Sequence, residues 1–242
     1  MNYVNWSAVP MSNKIITTTQ CNRPKYTEQM LHYLSKCLGI ENYTLIAAIE
    51  PGNDEIYELL SNFNSCETKL IVNDFRLTCN INTMKVMYLG LDTSDSFILH
   101  VEDDVLLSRD ALVHYEKWCL NPNSFSFNLY SKINRDDYNN YRYNEHMYRD
   151  VFVPWGFGLS KAAFLKTLEW NCYCPDIVHY QSWDLNINKN CVANNLKHEF
   201  TFLSRSQNIG AAGGVHVPSA EWHKENQHLE FWADTIDKEN NV

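Results

Sequence analysis

The apolar run Phe97-Ile98-Leu99-His100-Val101 ends in three consecutive acids, Glu102-Asp103-Asp104, and resumes as Val105-Leu106-Leu107. A short, branched and aromatic run of this kind reads as a strand buried on both faces, the kind found in parallel sheets covered by helices. Ser108, with Asp110 behind it, brings the residue types that start a helix. The three carboxylates therefore fall at the carboxyl end of a central strand, the edge where open α/β sheets bind ligands. Like charges packed together raise one another's pKa unless a cation sits among them. A divalent cation with oxygen ligands, Mg²⁺ or Mn²⁺, meets that need, and it would in turn hold a diphosphate. Acid pairs also mark solvated turns and helix starts, so the cluster needs support from the rest of the chain.

The preceding residues alternate strand and helix. Lys14-Ile15-Ile16-Thr17-Thr18-Thr19 is β-branched and reads as a strand. Pro24 then opens a helix over Tyr26 to Leu38, closed by Gly39. Tyr43 to Ile49 is a second strand, Asn53 caps a helix through Leu60, Lys69 to Val72 is a third strand, and Asn80 opens a helix to Leu89. Strands alternating with helices predict an α/β fold with a mostly parallel central sheet and right-handed crossovers. The second half is less regular. Ser124 to Leu129 alternates like a strand, and residues 131–149, crowded with Asn, Asp, Arg and Tyr, read as a long surface loop of the functional kind. Ser160 caps a helix, Trp183-Asp184 begins another that runs to Asn194, and Phe200 to Leu203 is a late strand. Ser204 to Gly214 reads as a glycine-rich loop leading to His216.

Composition removes several classes. At 242 residues the chain is long enough for a sizeable core. A net charge of −9 argues against a general polyanion binder, whose affinity comes from clustered Lys and Arg. No apolar stretch approaches the ~20 residues of a membrane span, and Met1 to Trp6 lack the features of a signal peptide, so a cytoplasmic enzyme of a bacterium or a virus-infected cell is expected. In such a setting the eight cysteines are expected to be reduced and mostly buried.

Three further segments bear on chemistry. Thr19-Gln20-Cys21-Asn22-Arg23-Pro24 is a strand-to-helix loop, a natural diphosphate site, where Arg23 can fork onto a phosphate or simply sit on the surface. In Trp155-Gly156-Phe157-Gly158, Gly156 lets backbone approach a ligand and the Trp155 face suits a sugar; a core aromatic beside a turn is the plain alternative. Asp184 reads either as a helix cap or as a general base, and His216 as a metal ligand or a loop histidine.

In this order, a strand followed by Asn-Arg-Pro, the Glu-Asp-Asp triplet, the aromatic-Gly segment, Trp-Asp and a late His, the chain resembles a GT-A fold glycosyltransferase over roughly Lys14 to His216. It is most similar to the inverting N-acetylglucosaminyltransferase I type, with likeness to the family 2 transferases. The Glu-Asp-Asp corresponds to the family's DxD motif. The resemblance implies one catalytic domain over 1–242, with a nucleotide-sugar half at about 14–105, an acceptor half at about 106–217 and a polar tail at 218–242. It further implies that Asp104 contacts Mn²⁺ or Mg²⁺ with His216 as a second ligand. Glu102, Asp103, Arg23 and Asp74 would face the donor, a UDP-sugar foremost, and Asp184 would be the base. The acceptor implied is a glycan, with a modified base in viral DNA as the alternative. For the 131–149 loop, Tyr138, Tyr141, Tyr143 and Tyr148 among Arg135, Arg142 and Arg149 suggest an acceptor-facing flap. Two rivals remain: a nucleotidyltransferase, disfavoured because Gln20 to Lys25 holds no glycine, and a non-catalytic sugar-binding domain.

Overall fold

A computed structural model describes residues 14–94, 97–119, 121–131, 146–174, 182–211, 219–221 and 223. Four parallel strands form the first half of the main sheet: β1 (Lys14–Gln20), β2 (Tyr43–Ile49), β3 (Glu67–Val72) and β4 (Phe97–His100). The sheet order is β3-β2-β1-β4-β8-β6-β9-β7, with β6 at Ser126–Asn128, β7 at His146–Arg149, β8 at Phe157–Ser160 and β9 at His198–Thr201. Among these, β7 and β8 run against the others, so the sheet is mostly parallel, as the alternation predicts.

The strands are buried on both faces because alternate residues feed two separate cores. Ile16, Leu45, Ala47 and Leu99 pack with α1 (Pro24–Leu34), α2 (Asp54–Ser61) and α4 (Ala111–Trp118). Ile15, Ile46, Ala48 and Ile98 pack on the other side with α3 (Thr78–Thr93), α5 (Lys161–Glu169) and α6 (Trp183–Ala193). Helix α3 lies very close to the sheet at Gly90, where an added Cβ would stand 2.5 Å from Thr17 Cγ2. Ser160 caps α5 as expected, its Oγ accepting from Ala163 N at 3.0 Å. No helix among the described residues is long and apolar enough to cross a membrane. All eight cysteines are free thiols; Cys37, Cys119, Cys172 and Cys191 are buried, whereas Cys79 and Cys174 are exposed.

Several boundaries differ from expectation, each for a tertiary reason. Helix α1 ends at Leu34 rather than Leu38, because Leu38 N donates to Arg109 O (2.8 Å) and draws the chain out of the helix; Gly39 (φ +85°) then opens a 3₁₀ turn. The run before the acids is a strand, as expected, and a second strand that was not expected follows them. β4 stops at His100, and β5 (Val105–Leu107) turns away to pair antiparallel with β10 (Ser206–Asn208), inside the segment read as a loop. The following helix starts at Ala111, with Ser108 Oγ bonded to Asp110 Oδ1 at 2.7 Å. The late strand sits at His198–Thr201, two residues early. Residues 146–149, expected in the long loop, form edge strand β7; Tyr138, Tyr141, Tyr143, Arg135 and Arg142 lie outside the described residues.

Candidate active site

Because β1, β2, β3 and β4 are parallel, the loops after all four open on one edge. The loop after β1 delivers Arg23, which immediately precedes α1; the loop after β4 delivers Glu102, Asp103 and Asp104. Residues 80 positions apart in sequence meet there. Arg23 Nε donates to Asp103 Oδ2 at 3.1 Å and its Nη2 to Asp103 Oδ1, while Nη1 stands 2.8 Å from Asp104 Oδ2. The cation the acid cluster calls for is thus supplied first by the protein itself.

One guanidinium does not balance the site. Burial raises the Asp103 carboxyl to about 6, with Asp104 adding to the rise and Arg23 opposing it. Glu102 is pushed well above the usual carboxylate range by burial and by the charges of Asp104, Asp103 and Asp184, and its carboxylate makes no hydrogen bond or salt bridge with the described residues. Burial alone would lower Arg23, but Asp104 and Asp103 hold it firmly charged. Asp184 lies in the first turn of α6, close enough to Glu102 for its charge to be felt there. Ser182, not Asp184, occupies the capping position of that helix, so the cap reading fails. Trp183 anchors the turn in the core, its ring 6.3 Å from His100 and 5.6 Å from Phe157.

Asp104 is gripped from a third direction. Its Oδ1 accepts from Asn208 Nδ2 (3.0 Å), and its carbonyl accepts from Ile209 N (2.8 Å). An added Cβ at Gly210 would fall 2.2 Å from Asp104 Oδ2, so only a glycine fits there without displacing the carboxylate. The β5–β10 pairing places this collar, and Arg205 fixes the pairing: Nε bonds Asp110 Oδ2 at 2.9 Å in a buried ion pair, and its carbonyl accepts from Ser108 N. Trp155 and Gly156 pack against the same strand. Ser206 Oγ donates to the Trp155 carbonyl, and Gly156 takes φ +80° beside Ser206 and Leu107. The Trp155 ring meets Tyr130 edge-on at 4.6 Å.

Other expected residues are less central. Asp74 follows β3 on the same edge and is exposed. The buried acid on that side is Glu50, at the end of β2, whose two oxygens accept from Leu77 N at 3.2 and 3.0 Å and fix the turn into α3. That turn holds Thr78 at φ +67°, a strained value for a β-branched residue, next to Cys79, which feels Glu102 and Asp184. Glu50 carried the same signal as Glu102, an acid directly after an apolar strand; Asn208 carried none. His216 lies outside the described residues, whereas His223 reaches the site, its Nε2 3.3 Å from Asn208 Oδ1. Tyr148 and Arg149 are held by the body: Tyr148 Oη accepts from Asn121 Nδ2 at 2.7 Å, and the Arg149 guanidinium lies 5.3 Å from the Phe200 ring.

The site suits a divalent cation in charge and donor type. Glu102 feels the charges of Asp104, Asp103 and Asp184, Asp103 feels Asp104, Arg23 opposes the rise at both, and Asp104 offers hard oxygens. Among the described residues no three His, Cys, Asp or Glu side chains are already grouped around a metal position, and Asp104 Oδ2 is taken by Arg23. A cation at Asp104 therefore requires that contact to open.

No protein-family model matches the sequence, and no curated protein does. The fold is similar to that of solved structures of TarS from S. aureus. Against TarS the TM-score is 0.58 at 12% identity, covering 82% of this chain and 37% of that one. TarS 1-349 in complex with UDP-GlcNAc gives 0.56 at 12%, covering 80% and 57%. TarS 1-349 in complex with UDP gives 0.55 at 14%, covering 80% and 59%. This chain thus spans less than three-fifths of the length of each.

Proposed function

We propose that this protein is a glycosyltransferase that moves a sugar from a nucleotide-diphosphate donor to an acceptor hydroxyl, with inversion at the anomeric carbon. The observation that carries the reading is Arg23, at the mouth of α1, joined to Asp103 and Asp104 on the carboxyl edge of a parallel sheet. A guanidinium at a helix N-terminus is built to hold phosphate oxygens. The similar TarS structures with UDP and UDP-GlcNAc support a UDP-sugar as the donor.

In this mechanism Arg23 binds the diphosphate and turns toward it from Asp104. Asp103, Glu102 and Asp74 face the nucleoside and sugar hydroxyls, and the Trp155 face flanks the sugar. Asp184 comes from a different element, on the Glu102 side of the cluster, and accepts the proton of the acceptor hydroxyl as that oxygen attacks the anomeric carbon. The bond from that carbon to the diphosphate oxygen breaks, and the nucleotide leaves as its diphosphate. A positioned base of this kind contributes about 10²–10⁴ in rate. A divalent cation, Mn²⁺ or Mg²⁺, held by Asp104 with His216 as a second ligand, would supply charge to neutralise the leaving diphosphate. A glycan is the acceptor class proposed.

The test is thermal unfolding with UDP, UDP-GlcNAc and GDP-mannose, with and without Mn²⁺. A ligand at a hundred times its Kd adds about 2.7 kcal/mol, roughly 5–10 °C for a chain of this size. We expect a Mn²⁺-dependent rise with one nucleotide class, lost in Asp104→Asn. Asp184→Asn is expected to abolish transfer and keep the rise. No rise with any nucleotide would end the transferase reading, and wild-type transfer by Asp184→Asn would end the base assignment.

A further inference from the structure

We propose that Asn208 is the positioning residue of the donor site: its one side-chain amide fixes the Asp104 carboxylate and holds the His223 ring beside it. The inference rests on the donor-site reading of Asp104 given above.

The amide can be oriented without ambiguity. Gly210 N is a donor and lies 2.9 Å from one end of the Asn208 side chain, so that end is the oxygen. The other end is then the NH₂, and it faces Asp104 Oδ1 at 3.0 Å, where a carboxylate needs a donor. His223 Nε2 approaches the oxygen end at 3.3 Å, so it is the nitrogen that carries hydrogen. Asn208 is buried, and both ends of its amide are engaged.

The backbone makes this arrangement stiff. Asn208 pairs with Val105, the residue after Asp104, and the next residue returns a hydrogen bond to the Asp104 carbonyl. The buried Arg205–Asp110 pair holds the other end of the short β5–β10 ladder. Asp104 thus has its carbonyl, Oδ1 and Oδ2 all fixed, by Ile209, Asn208 and Arg23. Of these three, Arg23 is the mobile partner in the proposed mechanism. When it turns to the diphosphate, Asn208 is what keeps the carboxylate aimed. Neither conservative change reproduces this: Asn208→Asp would set a carboxylate against Asp104, and Asn208→Gln would add a methylene to a filled site.

The experiment has two arms. In the ligand-free protein, the Asn208 side-chain amide resonances are followed by NMR; both Asp104→Asn and His223→Ala are expected to shift them. In the second arm UDP affinity with Mn²⁺ is measured for Asn208→Ala, Asp104→Asn and the double variant, with Tm recorded for each. Asn208→Ala is expected to weaken UDP about tenfold, the loss typical of a hydrogen bond to a charged group. On the Asp104→Asn background, where nucleotide binding is already expected to be lost, the pair is read from Tm instead: Asn208→Ala is expected to lower Tm less there than in the wild type, because a neutral amide at 104 accepts from Asn208 more weakly than the carboxylate does. Equal Tm losses on both backgrounds, or amide resonances indifferent to Asp104→Asn and His223→Ala, overturn the proposal. If the wild type binds no nucleotide at all, the donor-site reading falls, and the amide resonances alone decide whether Asn208 joins Asp104 to His223.

Discussion

Acid should unfold this protein, and a large part of the effect is assigned to His198. That ring lies fully buried on β9, with Nδ1 2.8 Å from Ser126 Oγ and Phe125 and Phe152 against it. Its Nε2 has no partner among the described residues, so no group in the core rewards a second proton. Burial lowers its pKa from 6.5 to about 4, with Asp150 opposing the fall. Below pH 6.5 the unfolded chain takes up a proton that the folded chain refuses, so stability is complete above that pH and drains away toward pH 4. Between pH 7.5 and 5.0 this amounts to about 2 kcal/mol. His100, lowered by burial to about 3, adds a similar amount, and together they remove a large share of a typical stability of about 5–15 kcal/mol. The raised carboxyls Asp103 and Glu102 act in the opposite sense, since they gain stability on protonation. The measurement must cancel them, so His198→Gln is compared with wild type by urea unfolding at pH 7.5, 6.5 and 5.0. The variant carries a constant offset from lost packing, but its fall with pH should be shallower by about 2 kcal/mol. Parallel pH profiles for the two proteins would refute the argument.

Three further outcomes are expected. Gly90→Ala gains about 1 kcal/mol of helix propensity but drives a methyl to 2.5 Å from Thr17 Cγ2 on the central strand; overpacking of about 1–3 kcal/mol wins, and the urea midpoint falls. Gly210→Ala forces the Asp104 carboxylate off its partners, so UDP affinity measured by calorimetry drops at least about tenfold, while the far-UV spectrum stays native. Arg23→Ala removes the guanidinium opposing the rise of Asp103, so that carboxyl moves above about 6, as NMR titration will show, and UDP binding is lost. An unchanged Asp103 titration would mean that Arg23 is not its counter-ion.

Local pattern determined much of this protein. β-branched and apolar runs set β1, β2 and β4, Ser160 set a cap, and the position of Glu102-Asp103-Asp104 after an apolar strand placed the acids at the carboxyl edge of the parallel strands. These features are legible because alternation and capping depend on neighbours within a few residues. Tertiary structure alone decided what those acids touch. Asn208 and Asp104 are 104 residues apart, and the strand that joins them, Ser206-Gln207-Asn208, is three polar residues long with no apolar alternation to reveal it. The same holds for β7, for the end of α1 at Leu34 and for His223 beside the site: each is fixed by a hydrogen bond or pairing from a distant segment. Sequence showed that the acids needed a partner, because charge repulsion is local; only the folded chain could show that Arg23 and Asn208 supply it, because their proximity is made by the sheet.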